Sequence, residues 1–141
     1  MSDSVDFIDT NIFVYAFDET DMVKSKRARE LLANFSGAKT GCISVQVIQE
    51  FCNVALKKSV VPLRPGDLRK VVRELLVPLL VRWPDESFYL RVIDTFERHS
   101  LEFYDASIVQ AAIDAHCRVL YTEDMQAGAN YSGVKVVNPF I

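Results

Sequence analysis

Short, largely apolar runs alternate along this chain with longer segments of helical periodicity, and that alternation is its strongest constraint. Residues 5–8, 40–43, 79–81, 119–121 and 134–137 read as strands. Residues 12–17 begin a helix or turn. A second helix, capped by Thr20 or Asp21, carries the stripe Ala28, Leu31, Leu32 and Phe35 and stops at Ser36-Gly37. Ser44 caps a third, with Val47, Ile48, Phe51, Cys52, Val54 and Ala55 on its apolar face. A fourth follows Pro65-Gly66, is striped by Leu68, Val71, Val72, Leu75 and Leu76, and is limited by Pro78. Asp85 opens a fifth that buries Phe88, Val92, Ile93 and Phe96, and residues 105–115 form a sixth. Apolar strands separated by helices predict a parallel sheet covered on both faces.

Four acids fall at the mouths of these elements. Asp9 ends the first strand and Asp124 follows the strand 119–121, where open α/β sheets place their ligand sites. Asp105 stands at a helix start. Glu50 lies between Val47 and Val54, on an otherwise apolar helix flank. Each has a bland reading beside the functional one: Asp9 and Asp105 as helix caps, Asp124 as a turn residue, Glu50 as a snorkelling surface acid. Taken together they point to one shared site, because buried carboxylates without a partner cost several kcal/mol and call for a cation. Hard oxygen ligands select Mg²⁺ or Mn²⁺, whose chemistry suits displacement at phosphate. Asn11 and Thr122 add neutral groups able to orient a carboxylate.

Composition narrows the setting. The 141 residues fit one domain, 1–141, with a formal net charge of −3 and so no global basic field. Lys24, Lys26, Arg27 and Arg29 crowd one helix start, and Lys57-Lys58 end the Glu50 helix. Either group is a candidate contact for a phosphate-bearing partner or simply a solvated face. Phe13, Tyr15, Phe17, Trp83 and Tyr104 offer rings for stacking on a ligand or for filling the core. Cys42, Cys52 and Cys117 have no CxxC spacing and read as reduced thiols of a cytoplasmic protein. Only His99 and His116 are present, which disfavours a Cys/His zinc site. Asp3 and Asp6 precede any apolar run, unlike a signal peptide. The longest apolar stretch, residues 75–81, is too short to span a membrane.

Four segments carry a family resemblance. Phe7-Ile8-Asp9-Thr10-Asn11 resembles the opening motif of PIN-domain ribonucleases, and Ser44-Val45-Gln46-Val47-Ile48-Gln49-Glu50-Phe51 their second. Phe103-Tyr104-Asp105-Ala106-Ser107-Ile108 resembles the third and Leu120-Tyr121-Thr122-Glu123-Asp124-Met125 the fourth, in matching order and separation. The size is similar to that of stand-alone VapC-type toxins. The resemblance implies a PIN-like three-layer α/β sandwich, with a central parallel sheet of four or five strands and helices on both faces. It implies a Mg²⁺- or Mn²⁺-dependent endoribonuclease with Asp9, Glu50, Asp105 and Asp124 as metal-binding catalytic carboxylates. It also implies homodimerisation, and inhibition by a small antitoxin that covers the cleft. Glu123 competes with its neighbour Asp124 for the fourth position. The offset from Thr122 favours Asp124, with Glu123 facing the other way.

Rival functions fit less well. A haloacid-dehalogenase-type phosphatase needs a second Asp where Asn11 stands. A phosphoacceptor receiver domain needs an acidic neighbour beside Asp9, and a lysine after its last strand rather than Lys135 within it. No glycine-rich loop supports dinucleotide binding. A catalytically silent PIN-like protein-binding module is the alternative from another class, opposed by the intact acidic set.

Overall fold

A computed structural model describes residues 5–38, 41–57, 61–81 and 83–141. Its centre is a mainly parallel five-stranded sheet, ordered β2-β1-β3-β5-β4. The strands are β1 (Val5–Ile8), β2 (Gly41–Cys42), β3 (Cys117–Tyr121), β4 (Asn130–Tyr131) and β5 (Val134–Val137). β1 runs parallel to both neighbours, with Phe7 opposite Cys42 on one side and Leu120 on the other. Phe7, Ile8, Leu120 and Val136 are fully buried, as expected for strands sandwiched between helices.

The helices are α1 (Thr10–Phe17), α2 (Met22–Ala38), α3 (Val45–Leu56), α4 (Pro65–Val71), α5 (Glu86–His99) and α6 (Phe103–Asp114). They cover both faces of the sheet in the expected three-layer arrangement. α1 packs on α2 and α3, whereas α6 packs on α5, β3 and β5. β1 and β3 are parallel neighbours, so the turns that follow them open side by side.

Several local expectations are corrected. The last pair of strands is antiparallel. Tyr131 pairs with Val134 across Ser132-Gly133, whose φ values of 53° and 96° suit a two-residue hairpin turn. Residues 79–81 form no strand. Pro78 sits in a 3₁₀ turn, Val77–Leu79, that follows a π turn, Val72–Leu76, and Leu80 makes only a single bridge to Ile43. α5 buries Val92 and Thr95, while Ile93 and Phe96 stay 48 % and 45 % exposed. The turn that sets this face is anchored by a hydrogen bond of 2.6 Å from Thr95 Oγ1 to Gln110 Oε1 of α6.

Helix ends differ in detail too. Asp21 rather than Thr20 caps α2, accepting the Lys24 N–H at 3.1 Å, and α2 continues through Ser36-Gly37 to Ala38. Ser44 occupies the N-cap of α3 without a capping hydrogen bond. Asp105 is no cap: α6 begins earlier, with Glu102 at the N-cap, so Asp105 lies in the first turn. Thr40 and Lys58 lie outside the described residues.

Candidate active site

Asp9 leaves β1 directly into α1 and is its N-cap, with extended backbone angles. Its Oδ1 accepts the Thr10 N–H at 2.7 Å and its Oδ2 accepts the Thr122 hydroxyl at 2.8 Å. The expectation of a cap was therefore right for Asp9, and capping leaves the carboxylate in the cleft. Thr122 Oγ1 also accepts from Asn11 Nδ2 at 3.1 Å and from the Asp124 N–H at 3.0 Å. One donor and two acceptors exhaust that hydroxyl. Asn11 Nδ2 further donates to Asp124 Oδ2 at 3.0 Å. The ends of β1 and β3 are thus stitched together by side chains beyond the sheet.

Glu50 comes from α3. Its Oε1 accepts the Thr10 hydroxyl at 2.7 Å, and its Oε2 accepts Gln46 Nε2 at 3.4 Å. Asp105 enters from α6. Asp124 and Glu50 act electrostatically on both Asp9 and Asp105. Burial first, then Asp124 and Glu50, push the Asp9 carboxyl up to about 7 against the pull of its Thr122 and Thr10 hydrogen bonds. Burial, Asp124, Glu102 and Glu50 raise that of Asp105. Among the described residues, no lysine or arginine is among the groups acting on either. Asp9 is only 5 % exposed, so water screens it poorly.

Glu123 faces away. It pairs with Lys24 at 2.8 Å and accepts the Tyr15 hydroxyl at 2.5 Å, with the Lys24 ammonium above the Tyr15 and Phe140 rings. Lys24 is therefore occupied within the fold. Arg27 donates to Pro139 O and Arg29 to Ser25 O, so this basic cluster is largely held by its own surroundings.

The donor set suits a hard divalent cation: four carboxylates, no neutralising base among the described residues, and one acid driven toward its neutral form. Among the described residues, however, no three Asp, Glu, His or Cys side chains already stand at ligand spacing. Asp9 and Glu50 are held by the Thr122 and Thr10 hydroxyls. Sequence reasoning missed Thr10 and Gln46 as the holders of Glu50. Their only signal is the spacing, since Gln46 lies one helical turn before Glu50.

With this geometry in place, comparison fixes the family. A PIN-domain family profile matches residues 7–128, and the chain belongs to the PIN-domain family. Its fold is similar to a toxin–antitoxin complex from Klebsiella pneumoniae, at 20 % identity and a TM-score of 0.68, covering 94 % of this chain and 96 % of that one. It is similar to the sarcin-ricin-loop-cleaving toxin VapC20 of Mycobacterium tuberculosis, at 15 % identity and a TM-score of 0.64, covering 84 % and 91 %. The VapBC2 complex of Rickettsia felis, bound to a promoter DNA fragment, matches at 16 % identity and a TM-score of 0.60, covering 94 % and 96 %. No curated protein matches the sequence.

Proposed function

We propose that the protein is a Mg²⁺- or Mn²⁺-dependent endoribonuclease, the toxin of a type II toxin–antitoxin pair. The observation that carries this reading is a group of acids linked through Thr10, Asn11 and Thr122 at the carboxyl ends of β1 and β3, with no lysine or arginine among the described residues acting on Asp9 or Asp105. Asp9, Glu50, Asp105 and Asp124 would hold the metal and are the proposed catalytic acids. A cation held there would supply the positive charge that offsets the acids and polarises a phosphodiester for hydrolysis. The protein's own groups set the geometry. Asn11 and Thr122 fix Asp124 against Asp9, Thr10 and Gln46 hold Glu50, and burial of Asp9 limits solvent screening of its charge.

Similarity to toxin–antitoxin structures supports a small antitoxin partner, with a lysine or arginine entering the cleft as a substitute for the cation. Homodimerisation through the exposed α5 residues Leu90, Ile93 and Phe96 belongs to the same proposal. So does a cytoplasmic location; among the described residues no helix is long and apolar enough to cross a membrane. The test is cleavage of total RNA by inhibitor-free protein with Mg²⁺, Mn²⁺ or EDTA. Cleavage that stops in EDTA supports the reading, and cleavage that persists sinks the metal mechanism. The silent-module alternative draws on the absence of preformed ligand spacing, and it predicts no cleavage under any of these conditions.

A further inference from the structure

Beside the acids lies a cavity of about 510 Å³ that hydrolysis itself does not use. It is bounded by the first turns of α3, by α6 and by the start of α5. Rings line it from two sides. Phe103 meets Tyr104 edge-on at 5.5 Å, Phe88 meets Tyr89 at 5.3 Å, and Trp83 stands on the rim. Trp83 is 73 % exposed and Tyr104 68 %, so neither serves the core. Large flat rings left in water gain by covering their faces.

The polar groups are as telling as the rings. Gln46 and Gln49 contribute amides, and Ser44 Oγ is buried with no hydrogen-bond partner among the described residues. Gln46 Nε2 reaches both Glu50 Oε2 and the Tyr104 carbonyl, each at 3.4 Å, so one side chain borders the cavity and the acid cluster alike. Tyr104 adjoins Asp105 in sequence. Among the described lining residues there is no lysine or arginine, and the one acid, Asp114, is engaged by Arg91 at 2.6 Å. Such a wall takes an uncharged, planar group with donors and acceptors along its edge, rather than a phosphate. The volume lies within the range of small-molecule sites.

We propose that this cavity receives one unstacked base of a single-stranded RNA whose phosphodiester lies at the acids, an inference that rests on the ribonuclease reading above. Trp83 and Tyr104 supply the stacking faces, and Gln46 and Gln49 meet the base edge. Bases locked in a duplex cannot enter, so the substrate class is RNA with unpaired nucleotides at the cut. A second copy of the chain would also cover the rings. The amides and their continuity with the acids favour a base.

Trp83 is the chain's one tryptophan, so its fluorescence reports on this cavity alone. The full chain is titrated in EDTA with uncharged adenosine, guanosine, cytidine and uridine, and with ribose 5-phosphate as the control without a base. The expected result is saturable quenching by at least one nucleoside and none by ribose 5-phosphate. Tyr104→Ala, at an exposed position that folding does not require, raises that Kd about tenfold. Val23→Ala, remote on α2, leaves it unchanged. No quenching by any nucleoside, or quenching indifferent to Tyr104→Ala, overturns the proposal. So does a Trp83 signal that shifts with protein concentration while every nucleoside leaves it unmoved, which assigns the cavity to a second copy. The readout needs neither metal nor cleavage. Nucleoside binding without RNA cleavage therefore rejects the ribonuclease reading by itself, and cleavage without nucleoside binding rejects the base site by itself.

Discussion

Asn11 and Asp124 stand 113 positions apart in the sequence and are joined by a hydrogen bond of 3.0 Å, Nδ2 donating to Oδ2. The same side chain donates to Thr122 Oγ1 and accepts the Glu123 N–H at 3.3 Å. Asn11→Ala removes all three contacts between the start of α1 and the turn after β3. The expected loss is about 1 kcal/mol, or roughly 3–5 °C in Tm, with Asp124 freed to swing. A thermal melt measures the first effect and RNA cleavage the second. An unchanged melt shows that the stitch contributes nothing.

The acids differ in what they face. Asp9→Asn and Asp105→Asn are each expected to lower cleavage by roughly a hundredfold or more, the scale of losing ~3 kcal/mol of electrostatic stabilisation. Glu123→Gln is expected to do far less than Asp124→Asn, because Glu123 is held by Lys24 and Tyr15 on the far side of the turn. Initial rates on one RNA rank the four variants, and a reversed order for the neighbours exchanges their roles.

Burial of Asp9 sets a pH dependence. Its carboxyl rises from an ordinary 3.8 to about 7 on folding, so the native state binds the proton more tightly than the unfolded chain. The stabilisation from that proton is complete below pH 3.8 and is lost as the pH climbs to about 7. Its full size is roughly 4 kcal/mol, about three pKa units at ~1.36 kcal/mol each. Asp105, also raised, adds to the same slope. Denaturant melts in EDTA across this window are expected to show stability falling with pH. The Asp9→Asn curve is expected to be flatter, and equal slopes contradict the assignment.

Metal bound at the proposed site is expected to offset this penalty. At ten times its Kd, Mg²⁺ adds about 1.4 kcal/mol, a rise of roughly 3–6 °C in Tm. Asp105→Asn deletes one repelling charge and one proposed ligand together. It is expected to melt at or above the parent in EDTA and to gain little from Mg²⁺. A full Mg²⁺ shift in the variant removes Asp105 from the metal site.

The edge of the sheet offers a test of packing alone. A Cβ on Gly41 would lie 2.9 Å from both Ile8 Cδ1 and Phe35 Cγ, side chains confined by the core. Gly41→Ala is expected to cost about 1–3 kcal/mol, read as a lower urea midpoint with an unchanged slope. No loss in midpoint means the Phe35 ring can move aside.

Much of this was legible in the residues. The apolar runs located β1, β3 and β5, and the acids at their ends marked where the cleft opens. The misses share a physical cause: short elements are fixed by tertiary partners rather than by local pattern. Asn130-Tyr131 is strand only because Ser132-Gly133 turns it onto β5, and residues 79–81 lack the neighbours that would make them one. On α5 the apolar stripe Ile93 and Phe96 suggested burial, yet packing on α6 selected Val92 and Thr95. Within the site, the acids' residue types could be read but the donors that hold them could not, because Thr10 meets Glu50 only after α3 has crossed the sheet.

The Thr122 hydroxyl that grips Asp9 belongs to the last-made wall of the cleft. Synthesis runs from Asp9 through Glu50 and Asp105 to Asp124, and β1 waits for β3 before its far side is covered. Asp124 lies in the same turn, so one side of the site is synthesised last. The Asp9 carboxyl therefore meets its Thr122 donor only when nearly the whole chain has been made.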